Sequence, residues 1–314
     1  MSQDNGMKSG SNLEKVFRAG HLAVTCECGP PKGADVEHLK KKIQMIKGYV
    51  DAANVTDNQT AVVRMSSIGA SAILAQNGVE PVMQMVTRDR NRIAAQSDLF
   101  GAYALGIRNM LCLTGDHQKF GNHPFAKNVF DMDSIQLLNM VRTIRDEGKV
   151  NSGDPVEGGV SMFFGAAANP FADPFEFRVI RMAKKIHAGA DFIQTQCIYD
   201  MVRFKEFMKM ARDMGLHEKA FIMAGLTPLK SVGMARYMNR NVSGITIPEA
   251  IIKRLAGVPK ERQAEEGIRI CLEQIEELKE ERGIRGFHIM AIEWEEKIPE
   301  IVERAGLYPR PAVA

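Results

Sequence analysis

The sequence predicts an α/β fold, a single-domain (β/α)8 TIM barrel, from three observations. Eight short apolar runs alternate with longer stretches whose apolar residues recur every three or four positions, which is typical of buried strands separated by amphipathic helices. Glycines follow most of the helical stretches, where helices commonly end. The 314 residues can hold a barrel of about 250 residues. An open doubly wound sheet would more often stop at roughly five or six strands.

The predicted strands and helices alternate in strict order. The strands cover residues 22–28, 49–56, 79–87, 109–115, 160–167, 191–199, 220–226 and 286–292. The helices cover 36–48, 68–78, 91–106, 133–148, 174–189, 201–215, 231–240 and 295–306. Pro174 stands in the favoured first turn of its helix, and Asp173 is the expected cap. The stretch 247–283 adds helices without a second set of strands. We expect a flexible N-terminal segment over 1–20 and one barrel domain over 21–314.

Composition excludes several classes of protein. Lys and Arg number 41 against 38 Asp and Glu, a net charge of +3, which is too balanced to favour nucleic acid as a partner. The first twenty residues lack the apolar core of a signal peptide. No apolar window approaches the roughly 18 residues of a membrane span. We therefore expect a soluble, cytoplasmic protein.

The cysteines and histidines do not predict a metal site. The five cysteines are scattered without a CxxC pair, which favours reduced thiols over disulfides or zinc. Cys26 and Cys28 share the strand face of Val24, so packing against helices is the simplest interpretation. The histidines show no HExxH or other paired spacing, and phosphate-loop glycine motifs are missing.

Glu27 is the main catalytic candidate. In a TIM barrel the functional residues lie at the carboxyl ends of strands, and the period of two places Thr25 and Glu27 on the inner face of the first strand. Low dielectric at that position raises the pKa of a carboxyl group, which makes it usable as a general acid. A buried glutamate paired with a neighbouring Lys or Arg is the equally favoured alternative.

Other polar residues end the remaining strands. Asp116 follows Thr114 and Gly115, where the glycine allows close approach by a ligand and the carboxylate can accept hydrogen bonds from a planar edge. Gln194 and Gln196 share one face of the sixth strand, although structural glutamines are nearly as common there. The other strand-end candidates are Thr56, Asp57, Gln84 and Asn169.

The helix over 174–189 carries four cations within about two turns. These are Arg178, Arg181, Lys184 and Lys185. They form either ordinary surface charge or a binding site for a phosphate group at the top of the barrel.

Seven short motifs, taken in order, carry a resemblance to a known family. They are CECGPPK (26–32), NVT (54–56), LTGD (113–116), KKIHAGADFIQTQ (184–196) with the following IYD, AGLTPL (224–229), ITIP (245–248) and GFHIM (286–290). Together they resemble the methylenetetrahydrofolate reductase family over about 21–310. The resemblance implies a TIM-barrel flavoprotein of one-carbon metabolism, in which a flavin (FAD or FMN) reduces 5,10-methylenetetrahydrofolate to 5-methyltetrahydrofolate.

The resemblance also assigns roles to the strand-end residues. Glu27 matches the general acid, and Asp116 matches the aspartate that lies near the flavin and binds the pterin. Gln196 matches a glutamine at the pterin edge. Thr56 matches a position beside the flavin ring and is expected to bind the substrate. The positions that match the surroundings of the cofactor are Asp57, Gln84, Thr114, Gly115, Gly165, Asn169, Arg178, Lys184 and Lys185.

Two departures from the family pattern bear on cofactor and partners. Arg178 stands where members place an acidic residue towards the adenosine half of FAD, which makes FMN a competitor. Trp294 stands where an arginine commonly meets the folate tail. Such variants resemble short reductases that work with an iron–sulfur partner subunit, so the electron source is NAD(P)H or a reduced carrier, in a homo- or hetero-oligomer. The alternatives are a flavin-free pterin-binding methyltransferase-type barrel and a non-catalytic barrel subunit.

Overall fold

Eight parallel strands close into a barrel in chain order, which confirms the predicted fold. The computed structural model describes residues 6–242 and 244–313. The last strand pairs with the first in parallel, with Cys26 opposite Ile289. The strands are β1 Ala23–Glu27, β2 Ala52–Val55, β3 Pro81–Val86, β4 Asn109–Leu113, β5 Phe163–Ala168, β6 Phe192–Cys197, β7 Phe221–Leu226 and β8 Ile284–Ile289.

Helices surround the barrel, and three of those described lie between β7 and β8. They are α1 Asn12–Arg18, α2 Val36–Ile46, α3 Ser67–Gln76, α4 Arg92–Ala104, α5 Ser134–Glu147, α6 Phe175–His187, α7 Met201–Asp213, α8 Val232–Asn241, α9 Glu249–Ala256, α10 Gln263–Lys279 and α11 Ile298–Arg304. Among the described residues, no helix combines the length and the apolarity that crossing a membrane requires.

Local sequence explains most helix boundaries. Helix α5 begins at a capping box, in which Asp133 accepts from the N–H of Gln136 and the Gln136 side chain accepts in return, and it ends at Gly148 with a φ of 63°. This is the conformation that glycine adopts most readily. The expected cap of α6 was wrong. Pro174 occupies the cap position without a side-chain bond, and the Asp173 carboxylate instead accepts from Arg203 at 2.8 Å.

The strands separate two apolar regions. Val24, Cys26 and Cys28 are fully buried in the layer between barrel and helices, as the period of two predicted. Inside the barrel, Phe163 and Phe192 stack with their ring centroids 5.2 Å apart. All five cysteines are buried free thiols, so they act as small packing residues in this fold.

The N-terminal prediction was wrong for part of its range. Residues 12–18 form α1 instead of a flexible segment, and Ser11 caps this helix by accepting from the N–H of Glu14. Leu13, Val16 and Phe17 are fully buried against the residues inside the barrel, because they recur at the spacing of one helical face. Residues 1–5 of the same prediction lie outside the described residues.

A second contact joins distant parts of the chain at the same end of the barrel. Asp51, just before β2, accepts from the backbone N–H of Val24 at 2.7 Å. Its Oδ2 also lies 2.6 Å from Nη2 of Arg310, and Asn12 donates to the Asp51 carbonyl at 3.0 Å. The Asp51 and Arg310 side chains are 1% and 10% exposed. Asp51 therefore binds segments from both ends of the described chain to the barrel.

Candidate active site

The carboxyl ends of the strands open into a cavity of about 480 Å³. We call it the mouth cavity. Ten of the predicted site residues line it: Glu27, Asp57, Gln84, Thr114, Gly115, Asp116, Asn169, Arg178, Lys185 and Gln196. A larger cavity of about 730 Å³ lies between α5 and α6. We place the candidate site in the mouth cavity, because functional residues of TIM barrels gather at the strand ends.

Glu27 is a partly buried carboxyl group at the edge of the mouth cavity. Burial raises its pKa to about 7, and the negative charge of Glu295 adds to this effect. Arg64, a hydrogen bond with the Gln59 side chain and Lys42 oppose it. A carboxyl group with a pKa near neutrality holds its proton for a substantial part of the time and can release it to a substrate.

The end of β2 carries two polar atoms without partners. Asp57 accepts with one oxygen from the N–H of Val86 at 3.0 Å and from Arg90 at 2.6 Å. The other oxygen of Asp57, and the hydroxyl of Thr56, are buried without a hydrogen-bond partner. Buried polar atoms are rarely left unpaired. Asp57 therefore offers a free acceptor at the mouth cavity that it lines, whereas the free hydroxyl of Thr56 belongs to a residue that is absent from the lining.

Arg88 holds the loops after β2, β3 and β4 together. Its guanidinium donates to Asp89 at 2.8 and 2.6 Å, to the carbonyl of Asp116 at 3.0 Å and to the carbonyl of Asn58 at 3.3 Å. The Arg88 residue is 2% exposed. Because the backbone of Asp116 is fixed in this way, its exposed carboxylate is presented at the rim of the mouth cavity.

Thr114 and Gly115 shape the turn after β4. The Thr114 hydroxyl accepts from the first N–H of α5, that of Ser134, at 3.2 Å. Gly115 has a φ of +86°, and a Cβ there would lie 3.0 Å from Cβ of Val86. The turn itself therefore requires glycine at this position, whether or not a ligand also approaches the backbone there.

Helix α6 presents one cationic face to the mouth cavity. Arg178, Arg181 and Lys185 line it, since a spacing of three and four residues places them on one side of a helix. Lys185 donates to the carbonyl of Ala167 at 2.6 Å, and burial together with the charge of Arg181 lowers its pKa to about 8. The structure places Lys184 on the neighbouring face, where it lines the cavity between α5 and α6.

The floor of the mouth cavity is a polar network inside the barrel. Gln194 and Asn54 exchange hydrogen bonds of 2.7 and 3.1 Å, and Thr25 lies 2.9 Å from Nδ1 of His288. Burial lowers the pKa of His288 to about 3, so this ring is neutral. Above the floor, Gln196 accepts with its side-chain oxygen from the N–H of Cys197 at 3.0 Å, which leaves the NH2 group for other partners.

Gly165 lies inside β5 and is absent from the cavity lining. A Cβ built on Gly165 would overlap the ring of Phe192. The residue thus lets an aromatic ring pack across the barrel interior, and a role in contacting a cofactor has no support from its position.

We expect Gly165→Ala to lower the free energy of unfolding by about 1–3 kcal/mol, the usual cost of overpacking a core. Urea denaturation measures it. Gly101→Ala is the matched control, because Gly101 lies in α4 with open space at its Cβ position and alanine favours helices. If Gly165→Ala were as stable as the unmodified protein, the interior would have room and the packing role would be refuted.

Several residues near the site were missed from the sequence. Arg88 follows β3 directly, and the strand-end rule could have found it. Glu295 lies six residues beyond β8, and Lys42 lies on α2, so their approach to Glu27 depends on tertiary contacts. Trp294, next to Glu295, is partly buried with the Lys230 ammonium 5.5 Å from its ring centre.

Among the described residues no group of three or more His, Cys, Asp or Glu side chains could hold a metal ion.

Fold and site together define a TIM-barrel protein with a protonatable carboxyl group on one side of its mouth cavity and a cationic helix face among its other walls. Residues 12–306 match the family model described as methylenetetrahydrofolate reductase. The chain belongs to the methylenetetrahydrofolate reductase family, as the sequence motifs predicted.

Individual relatives are distant. The chain is 26% identical over 264 residues to "Probable methylenetetrahydrofolate reductase (NADPH)" of Caenorhabditis elegans, covering 82% of this chain and 36% of that protein. It is 25% identical over 317 residues to "Methylenetetrahydrofolate reductase 2" of Schizosaccharomyces pombe, covering 92% of this chain and 46% of that protein. The chain thus spans less than half the length of these curated relatives.

Solved structures share the fold. An uncharacterized protein from Clostridium thermocellum, described as binding two copies of 5-methyl-5,6,7,8-tetrahydrofolic acid, superposes with a TM-score of 0.62 at 16% identity, covering 95% of this chain and 100% of that chain. An F420-dependent secondary alcohol dehydrogenase superposes with a TM-score of 0.55 at 11% identity, covering 91% and 99%. At these identities the likeness concerns the fold alone.

Proposed function

We propose that this protein is a flavin-dependent reductase that converts 5,10-methylenetetrahydrofolate to 5-methyltetrahydrofolate. The observation that carries the proposal is Glu27, a carboxyl group with a pKa of about 7 at the edge of the mouth cavity. Opening the five-membered ring of the substrate requires a proton on its leaving nitrogen, and a carboxyl group of this pKa can supply one. Family membership, and the folate bound by a protein of the same fold, support the substrate.

The residues around the mouth cavity fit a flavin. The partnerless oxygen of Asp57, which lines this cavity, can accept a hydrogen bond from the polar edge of an isoalloxazine ring, and the partnerless hydroxyl of Thr56 belongs to the preceding residue. Arg178, Arg181 and Lys185 form a cationic face suited to a phosphate group. Gln84, Thr114, Gly115 and Asn169 complete the proposed lining. When bound, a reduced flavin supplies the hydride that turns the one-carbon bridge into a methyl group.

The protein's own residues handle the proton and the orientation of the substrate. Glu27 donates its proton to N10 of the folate as the bond between N10 and the bridging carbon breaks. Asp116 accepts hydrogen bonds from the pterin, since its carboxylate is exposed at the rim while Arg88 fixes its backbone. Gln196 donates from its free NH2 group to the pterin edge. The proton adds to N10 and the hydride adds to the bridging carbon, so the methylene bridge becomes an N–H group and a methyl group.

FMN competes with FAD as the cofactor. Arg178 stands where the family places an acidic residue, and its guanidinium donates to the carbonyls of Asp173 at 2.5 Å and Pro174 at 3.4 Å. A cation held there favours a terminal phosphate over an adenosine ribose. Mass spectrometry of the cofactor released by acid distinguishes the two.

The proposed electron source is NAD(P)H or a reduced carrier protein, and an iron–sulfur partner subunit is one form of the latter. The nematode relative carries NADPH in its name. Rapid bleaching of the bound flavin by NADH or NADPH in the isolated chain would argue against an obligatory partner. Bleaching only in a co-purified complex would support one.

The decisive experiment combines a spectrum with a titration. Purified protein should absorb as a flavoprotein, and anaerobic addition of 5-methyltetrahydrofolate should bleach the flavin by reversal of the reaction. A colourless protein that binds folate would favour the methyltransferase-type alternative. A flavoprotein that is not bleached by the folate would overturn the proposed reaction.

A further inference from the structure

The charged groups around Glu27 come from several segments of the fold. Glu27 ends β1, and β8 is paired beside it. The loop after β8 leads into a short 3-10 helix, Glu295–Lys297. Helix α2, which follows β1, contacts this short helix through an ion pair in which Lys42 Nζ lies 2.6 Å from Oε1 of Glu295. The topology thus places a second carboxylate near the proposed acid.

This ion pair is shielded from water. The Lys42 and Glu295 side chains are 15% and 8% exposed. Burying two charges is costly even when they are paired, and stability alone gives little reason for such a pair near a cavity. In a region of low dielectric the field of a buried charge also acts strongly on its neighbours.

We propose that Glu295, anchored by Lys42, is a positioning residue that adds to burial in favouring the protonated form of Glu27. This inference rests on the proposed role of Glu27 as the acid that protonates the folate. Glu295 itself does not line the mouth cavity, so it acts through Glu27. Lys42 holds the Glu295 carboxylate in place.

The balance of charges near Glu27 supports this assignment. Among the neighbouring groups, Glu295 has the largest effect on the pKa of Glu27 and raises it. Arg64, from the loop after β2, and Lys42 have smaller effects that lower it, as does the hydrogen bond with Gln59. The effect of Glu295 on the pKa of Glu27 is therefore larger than the opposing effect of Lys42, the cation with which Glu295 pairs.

The other titratable groups near Glu27 in the structure are neutral. Burial raises the pKa of Cys28 to about 12 and that of Cys197 to about 12, and it raises the pKa of Cys26 well above its usual value. Burial lowers the pKa of His288 to about 3. None of these four carries a charge near pH 7, so Glu295 is the charged neighbour that adds to burial in favouring the protonated form against Arg64.

The first test is the Glu295→Gln variant. Removing the negative charge lowers the pKa of Glu27, so Glu27 loses its proton at a lower pH. Above that pKa the protonated fraction falls tenfold per pH unit, so we expect about a threefold or larger loss of the folate-dependent rate at about pH 8. Little change is expected at about pH 5.5, where Glu27 is protonated in both proteins. An equal loss of rate at both pH values would indicate a merely structural role.

A direct titration separates this inference from the proposed function. In protein labelled with ¹³C-glutamate, the infrared C=O band that disappears in Glu27→Gln belongs to Glu27, and its pH midpoint needs no folate and no turnover. A missing folate reaction would defeat the proposed function while this midpoint still reports on Glu295. We expect the midpoint to fall in Glu295→Gln, and an unchanged or higher midpoint would overturn the inference.

Two further variants serve as controls for the titration midpoint of Glu27. Lys42→Met combined with Glu295→Gln removes the cation that the single change leaves buried without a partner, and the midpoint should still fall, since Glu295 has the larger effect. An unchanged or higher midpoint in the double variant also overturns the inference. Glu273→Gln, which removes one of the two carboxylates paired with Arg254, is the matched control and should leave the midpoint unchanged.

Discussion

Glu27→Gln should reduce the rate of the folate half-reaction by about 100-fold or more, the usual contribution of general acid catalysis. The amide keeps the size of the side chain but has no proton to release to N10. Stopped-flow reoxidation of the reduced bound flavin by 5,10-methylenetetrahydrofolate measures the loss, because this direction requires the proton on N10. In the unmodified protein the rate of folate reduction should fall as pH rises above about 7, because Glu27 then loses its proton.

Glu37→Gln is the matched control, since Glu37 lies on the surface of α2 and pairs only with Lys40 among the ion pairs of the described residues. It should react at the unmodified rate. Comparable rates for Glu27→Gln and Glu37→Gln would remove Glu27 from the mechanism. Retained flavin and retained folate binding in Glu27→Gln would show that the loss concerns the chemical step.

The same substitution should affect stability in a pH-dependent way. The pKa of Glu27 is raised in the folded protein, so folding favours its protonated form, and its ionisation costs stability as pH rises from the unfolded value through about 7. Glu27→Gln removes that cost. A gain in stability at high pH together with a loss of activity is typical of a residue retained for function.

Phe17→Ala should lower the free energy of unfolding by about 3–5 kcal/mol, the range for removing a buried phenylalanine. Phe17 is fully buried, and its ring stacks on Phe221 with the centroids 4.6 Å apart. Because α1 packs on the residues inside the barrel, the cavity left by this change lies within the core. Urea denaturation followed by circular dichroism gives the value.

Val202→Ala serves as its control, because Val202 is 82% exposed on α7, and it should change stability by less than about 0.5 kcal/mol. Equal effects of Phe17→Ala and Val202→Ala would mean that α1 is not part of the cooperative fold. The original expectation of a flexible segment would then hold in solution.

The sequence predicted what depends on local periodicity. Alternation within β1 assigned Glu27 and Cys26 to opposite faces, and the eight predicted strands all appear. The missed helix α1 had a local signal as well, in Leu13, Val16 and Phe17 after the cap Ser11. Its short length and polar surroundings concealed the apolar face.

Residues that depend on tertiary contacts were not predictable in the same way. Lys184 and Lys185 are neighbours in sequence, yet the phase of α6 sends only Lys185 to the mouth cavity. Glu295 acts on Glu27 across 268 positions only because the barrel closes β8 onto β1. No periodicity within either segment contains that information.

The contacts of Asp51 have a consequence for synthesis on the ribosome. Asp51 leaves the exit tunnel long before Arg310, the cation with which its carboxylate pairs. During that interval the Asp51 carboxylate has the N–H of Val24 as a partner but lacks its buried cation. Because a buried charge without its counter-charge is costly, we expect the barrel with Asp51 buried to become stable only after Arg310 has emerged.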